Sequence, residues 1–116
     1  MDSCVFCAIA AGQIPSDRVY EDDQVIAFKD LNPVAPVHVL IVPRRHIQSM
    51  EQFAASDTHG TLAAHLFRVI PIIAERCGVA ESGYRLINNC GVDGGQTVPH
   101  FHIHLIGGEV LGDKLR

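Results

Sequence analysis

Three histidines alternate in the run His100-Phe101-His102-Ile103-His104. In an extended strand successive side chains point to opposite faces. The spacing therefore sets three imidazoles on one face, with Phe101, Ile103 and Leu105 on the other. Imidazole suits nucleophilic, acid–base or metal chemistry near neutral pH. His102, the middle member, is the candidate nucleophile. A neutral ring can attack phosphorus and form a covalent intermediate while its second nitrogen holds a proton against an acceptor. His104 is placed to donate to a phosphoryl oxygen or to help a leaving group depart. The preceding loop, Asp93-Gly94-Gly95-Gln96-Thr97, is rich in backbone donors free to approach an anion. The same glycine pair would also suit a plain hairpin turn.

A second constellation is Cys4-Val5-Phe6-Cys7. Two thiols at this spacing can chelate a metal, and a tetrahedral zinc site needs two more ligands. His46 and His100 are available, which would make a Cys2His2 set of Cys4, Cys7, His46 and His100. Two other readings stand beside it. The cysteines could be buried apolar residues, or a redox pair, although the strand-then-helix context of such pairs is missing. His38 lies alone in a hydrophobic run, which suits a core histidine as well as a site residue. His59 and His65 fall on a helical stretch and receive no role. Cys77 and Cys90 read as packing residues.

The elements that must position these groups follow from pattern. Val5 to Ala11 reads as a short helix stopped by Gly12, with Pro15 beyond. Arg18–Glu21 and Gln24–Asp30 read as strands around an Asp22-Asp23 turn. Val37–Val42, bounded by Pro36 and Pro43, reads as a buried strand. One long helical signal starts near Ser56-Asp57. Leu62, Leu66, Val69, Ile70, Ile73 and Cys77 recur at helical spacing, and Gly78 can cap it. Pro71 within it predicts a bend or a boundary. Tyr84–Asn88 is a further strand, Asn89–Thr97 a loop, then the histidine strand, then a loose tail after Gly107-Gly108. The pattern predicts an α+β fold: an antiparallel sheet of about five strands per subunit, with one long and one or two short helices.

Bulk properties narrow the function classes. The 116 residues suit a single domain spanning 1–116, and a hydrophobic fraction of 47% supports a packed core. A formal net charge of -4 argues against a broad nucleic-acid footprint. It leaves room for a small phosphorylated ligand. No run of 18 apolar residues exists to span a bilayer. No basic segment precedes an apolar run at the start, so no secretory signal is expected. The four cysteines are expected to be reduced and the protein cytoplasmic.

Taken together these residues resemble the histidine triad (HIT) family, and within it the Hint branch of purine-nucleoside phosphoramidases. The most specific stretch is Asn89 to Gly108, with Ala27–Pro33, Pro36–His46 and Gly12–Pro15 fitting the same family. The resemblance implies a homodimer of α+β subunits, each with its own site for an AMP-like purine nucleotide. It implies that His102 takes the nucleotidyl group. His104 and the backbone around Gln96, Thr97 and Val98 would contact the α-phosphate, with Thr97 near the leaving group. Asn89 and Gly95 would line the same pocket, and Asp30 would bind the ribose hydroxyls. Phe6, Ile9, Ile14, Phe28 and Leu31 would form the base slot, and His38 would lie behind the nucleophile. Some members carry zinc on a Cys-x-x-Cys pair, a later histidine and the first triad histidine, and this chain has all four. A zinc-bound His100 must be neutral and cannot shuttle protons. Such a site is structural, because four protein ligands leave no open position.

The expected activity is hydrolysis of nucleoside 5′-phosphoramidates through a nucleotidyl-His102 intermediate. Two alternatives are a dinucleoside polyphosphate hydrolase and a zinc-stabilised nucleotide- or partner-binding module with little catalysis. The chain departs from the family pattern at Pro99, which has no backbone N–H, and at Glu109, where a basic residue is common. It also has no tryptophan. Leaving-group preference is therefore the part of the resemblance that carries over least.

Overall fold

The central strand of the molecule is the run that proline brackets on both sides. The computed structural model describes residues 4–115. Its strands are β1 (Arg18–Glu21), β2 (Val25–Lys29), β3 (Val37–Pro43), β4 (Tyr84–Ile87) and β5 (Ile103–Gly107). They form one sheet in the order β1-β2-β3-β5-β4. Each neighbouring pair is antiparallel. β3 is rich in β-branched residues, which pack well on a pleated surface flanked by partners on both sides. Its register pairs Leu40 with His104 and His38 with Ile106. β4 completes the other edge of β5, with Ile87 opposite His104.

Alternation divides the sheet into two faces. Val25, Ala27, Val39, Ile41, Ile103 and Leu105 face one core. That core is closed by Phe53 of α2 (Met50–Ser56) and by Leu66, Val69, Ile70 and Ile73 of α3 (Thr61–Arg76). Each large aliphatic side chain buried there contributes about 1.5–3 kcal/mol. Ile26, Phe28, Leu40 and Val42 face the opposite side, under Phe6 and Ile9 of α1 (Val5–Ala10). The three histidines belong to this second side, because Phe101 and Ile103 belong to the first.

A helix as short as α1, with six residues, does not hold by itself. Arg18 Nη2 donates to the Ile9 carbonyl at 2.6 Å and Arg44 Nη1 to the Ala10 carbonyl at 2.8 Å. Phe6 and Ile9 anchor it by burial.

Several expectations are corrected by the structure. The long helical signal starts later than expected, since α3 begins only at Thr61, and a separate short helix, α2, ends at Ser56 just before it. Gly60 takes a left-handed φ of 69° at the junction. The Asp57 carboxylate accepts from the Leu62 and Ala63 amides at 3.1 and 2.9 Å, so Asp57 caps α3 from outside it. His59 is therefore in the connecting turn. α3 runs through Pro71 without a boundary. Pro71 and Phe67 are exposed, so the carbonyl that loses its donor faces water. The histidine strand is shorter than expected, since β5 starts at Ile103 and leaves His100 in a bend and His102 in irregular chain before the ladder. The tail is tied rather than loose at one point, where Arg85 Nη2 donates to the Gly112 carbonyl at 2.5 Å.

His65 also gains a partner that its spacing did not announce. Its Nε2 lies 2.6 Å from Asp22 Oδ2, which also accepts from the Tyr20 hydroxyl at 2.6 Å. The other oxygen, Oδ1, accepts from the Gln24 and Val25 amides. Burial alone would raise the Asp22 carboxyl, but these hydrogen bonds outweigh it and hold the group at about 2. The cluster ties the β1–β2 turn to α3.

Candidate nucleotidyl-transfer site and metal centre

Hydrogen bonds around His38, His100, His102 and His104 assign each of these rings its tautomer. His102 Nδ1 lies 2.7 Å from the His100 carbonyl, which can only accept. In the neutral ring Nδ1 therefore carries the proton and Nε2 keeps its lone pair. Among the described residues Nε2 has no hydrogen-bond partner. The only buried side-chain nitrogen or oxygen without a partner there is Ser16 Oγ. His102 Nε2 is therefore open to solvent, although the residue as a whole is only 5% exposed.

The second pair runs in series. The Val34 amide donates to His38 Nδ1 at 3.1 Å. The neutral His38 ring then carries its proton on Nε2, which lies 2.9 Å from His104 Nδ1 and 3.4 Å from Asp30 Oδ2. His104 accepts at Nδ1, so its own proton sits on Nε2. Burial, with the His102 and His38 rings close by, holds His104 below the ordinary histidine value. The sheet thus presents a lone pair on His102 and an N–H on His104, with ring centroids 5.1 Å apart.

A cleft of about 370 Å³ opens beside these rings, a size in the range of small-molecule sites. Of the residues expected to bind nucleotide, Phe6, Ile9, Ile14, Phe28, Asp30, Leu31, Thr97 and Val98 all line it. Phe6 meets Phe28 and His102 edge-on, at 5.6 and 5.1 Å between centroids. His102 itself is not in the lining but stands against this wall. Leu31 is 93% exposed, so it belongs to the mouth of the cleft rather than to its interior.

The glycine loop reaches the cleft through Thr97 and Val98. Asn89, Gly95 and Gln96 are not among the lining residues. The Gln96 side chain is occupied within the protein. Its Nε2 donates to the Gln48 and Val98 carbonyls at 2.7 and 3.0 Å, and its Oε1 accepts from the Gly91 amide. Gln96 thus braces the loop that delivers Thr97 and Val98 to the cleft. The loop turns so tightly that a Cβ on Gly94 would meet the Cys90 carbonyl oxygen at 2.2 Å. Sequence reading also missed Asn88, whose Nδ2 donates to the His102 carbonyl at 2.9 Å.

Cys4, Cys7, His46 and His100 converge from α1, from the chain after β3 and from the chain before β5. Their ligand atoms all lie within 4.8 Å of one another. The His100 Nδ1 to Cys4 Sγ, His46 Nδ1 to Cys7 Sγ, and His100 Nδ1 to Cys7 Sγ distances are 3.3, 3.2 and 3.5 Å. A tetrahedral zinc with Zn–S near 2.3 Å and Zn–N near 2.1 Å separates sulfur from nitrogen by about 3.5 Å. His100 is fully buried, and its Nε2 donates to the Pro43 carbonyl at 2.8 Å, which leaves the Nδ1 lone pair aimed at the thiols. Burial lowers its basicity, which keeps the ring neutral as a ligand must be. Burial and the adjacent Cys4 thiol push the Cys7 thiol up to about 11, a crowding that a cation would relieve. The Cys7 amide donates to Cys4 Sγ at 3.3 Å. Donor types, distances and tautomer all fit zinc.

A second trio, Asp30, His38 and His104, also brings its ligand atoms within 4.8 Å. It is unsuited to a cation. The Val34 amide occupies the His38 lone pair, and the nitrogen facing the trio carries a proton.

The comparisons with known proteins agree with this geometry. The family model described as HIT domain matches residues 11–111. A protein named purine nucleoside phosphoramidase from Escherichia coli (strain K12) is 44% identical over 114 residues, covering 98% of this chain and 94% of that protein. A histidine triad protein from Clostridium difficile shares 49% identity with a TM-score of 0.90, covering 98% of this chain and 96% of its own. A HIT family hydrolase from Clostridium thermocellum shares 46% identity with a TM-score of 0.93, covering 100% and 99%. The chain belongs to the histidine triad family.

Proposed function

We propose that this protein is a nucleotide hydrolase that cleaves nucleoside 5′-phosphoramidates of the AMP-amine type. One observation carries the reading: His102 is held with its proton on the backbone side and its lone pair toward solvent, against a wall of an apolar cleft. The cleft has aromatic walls for a base at Phe6 and Phe28, and a carboxylate for ribose hydroxyls at Asp30. The phosphoramidase name of the Escherichia coli relative supports the choice of substrate.

In the first half-reaction His102 Nε2 attacks the α-phosphorus and the P–N bond breaks. The departing amine takes the proton from His104 Nε2, the position the His38–His104 chain keeps protonated. In the second half-reaction water attacks phosphorus, the His102–phosphorus bond breaks, AMP leaves and a proton returns to His104. Thr97 stands on the leaving-group side. Cys4, Cys7, His46 and His100 hold one structural zinc, which fixes α1 and takes no part in the chemistry. The free thiols this requires suit the cytoplasm.

Turnover measured side by side on adenosine 5′-phosphoramidate and on a dinucleoside polyphosphate tests the substrate. The amidate is expected to react at least about tenfold faster in kcat/KM, a difference of ~1.4 kcal/mol. Preference for the polyphosphate would shift the reading to that class, and binding of AMP without turnover of either would leave a binding module.

The active form is a homodimer. An apolar cleft of about 470 Å³ on the α2–α3 side is lined by Met50, Phe53, Phe67, Leu86 and Phe101. Phe67 is 71% exposed there. β4, an edge strand, borders the same cleft, and an unpaired edge beside an apolar patch suits a second copy of the chain. Sedimentation at micromolar concentration is expected to give twice the chain mass, and Phe67→Asp to give a monomer. A wild-type monomer would refute the assembly.

A further inference from the structure

The nucleophile stands where the sheet has not yet begun. β5 starts at Ile103, and the last β4–β5 pair is Ile87 with His104. The last β3–β5 pair at that end is Ile41 with Ile103. The 102–103 peptide is thus anchored to β3 through the Ile41–Ile103 pair, but the β4 ladder stops short of the His102 carbonyl. That carbonyl is instead held by a side chain, the Asn88 carboxamide, which donates from Nδ2 at 2.9 Å. Asn88 is the first residue after β4. The strand ends and its next side chain supplies the hydrogen bond that a backbone amide would have made.

Two restraints thus meet on His102 from opposite ends of the residue. The His100 carbonyl fixes the ring through Nδ1, and Asn88 fixes the main chain through the carbonyl oxygen. The first sets the tautomer, and the second sets where Cα and the ring stand relative to the cleft wall. Loss of the second would leave the 102–103 peptide held from the β3 side alone, free to tilt and carry Nε2 off the line of attack. A displacement near 1 Å at a reacting atom lowers rates by about 100-fold.

We propose that Asn88 is a positioning residue for the nucleophile, acting through the His102 carbonyl and making no contact with substrate. The inference rests on the hydrolase reading above. It predicts a particular split. Asn88→Ala removes the donor. Asn88→Asp keeps the shape but offers only acceptors to a carbonyl at neutral pH. Both variants are expected to slow the transfer of the adenylyl group to His102 by about 10- to 100-fold. Affinity for AMP is expected to stay within about twofold, since the cleft walls do not include Asn88.

The test is single-turnover rapid quench with adenosine 5′-phosphoramidate, paired with calorimetric binding of AMP and thermal melting. A purely structural role would lower the melting temperature and leave the transfer rate unchanged below it. A second measurement uses the unmodified protein: the Asn88 side-chain NH2 protons should exchange slowly with solvent in NMR spectra. Folded variants that transfer at the wild-type rate would overturn the proposal. If neither variant folds, rapid exchange of those protons would overturn it and slow exchange would support it. Wild-type protein that forms no adduct on His102 would sink the hydrolase reading together with the role of Asn88. An adduct formed at equal rates in wild type and variants would sink only the latter.

Discussion

Replacing His102 with alanine is expected to abolish turnover of adenosine 5′-phosphoramidate, by at least about 10⁴-fold in kcat. Among the described residues the ring is the one group placed to present an unprotonated nitrogen beside the cleft wall. His38 uses its lone pair on the Val34 amide, His104 uses its own on the His38 N–H, and His100 turns its own toward the thiols. No neighbouring imidazole can substitute without rebuilding this set of hydrogen bonds. AMP binding is expected to survive within about threefold, because the proposed base and ribose contacts are Phe6, Phe28 and Asp30, which line the cleft independently of His102. Stability should fall modestly, because the ring packs only against Phe6 and His104 among the aromatic groups. Kinetics and calorimetry on the same preparation check both halves. Retained turnover would require another nucleophile, and lost binding would mean that the variant had changed the cleft rather than the chemistry.

The second large effect concerns the metal centre. Cys4 caps and Cys7 lies on a helix of six residues whose Phe6 and Ile9 form walls of the cleft. One short element therefore joins the thiols of the proposed zinc site to the cleft wall. A structural zinc contributes to folding free energy directly, since the unfolded chain has no preformed site. The paired substitution Cys4→Ala with Cys7→Ala is expected to remove about one zinc per chain. It should lower stability by at least about 2 kcal/mol, or roughly 8 °C in melting temperature for a domain of this size. It should also weaken AMP binding by about tenfold as Phe6 and Ile9 lose their fixed positions. Metal analysis, melting and AMP titration of the two proteins give the comparison. Metal-free wild-type protein with a melting curve matched by the double variant would return both cysteines to a packing role.

Much of this site was legible because its chemistry repeats at strand spacing. The alternation of His100, His102 and His104 marks one face whether or not the ladder has begun, so the late start of β5 did not disturb it. Val37–Val42 declared itself by β-branching between two prolines. The thiol pair and its partner histidines were legible as one option among three, and the structure brings all four ligand atoms together. Hydrogen bonds between side chains far apart in sequence left no trace in the pattern. Asn88 reads as the end of an ordinary strand, because nothing in its spacing shows that its amide reaches His102. The same holds for His65 and Asp22, which are 43 positions apart. It holds too for the Gln96 side chain, whose amide reaches the Gln48 carbonyl 48 positions away. α2 was missed because only one of its residues, Phe53, is buried, too few to set a helical period.

The most direct test is to trap the intermediate. Protein is mixed with adenosine 5′-phosphoramidate, quenched in alkali, digested and analysed by mass spectrometry. One adenylyl group is expected on the peptide carrying His102, localised to that residue and absent from His102→Ala. Full turnover with no adduct there, or with the adduct on a different side chain, would contradict the account.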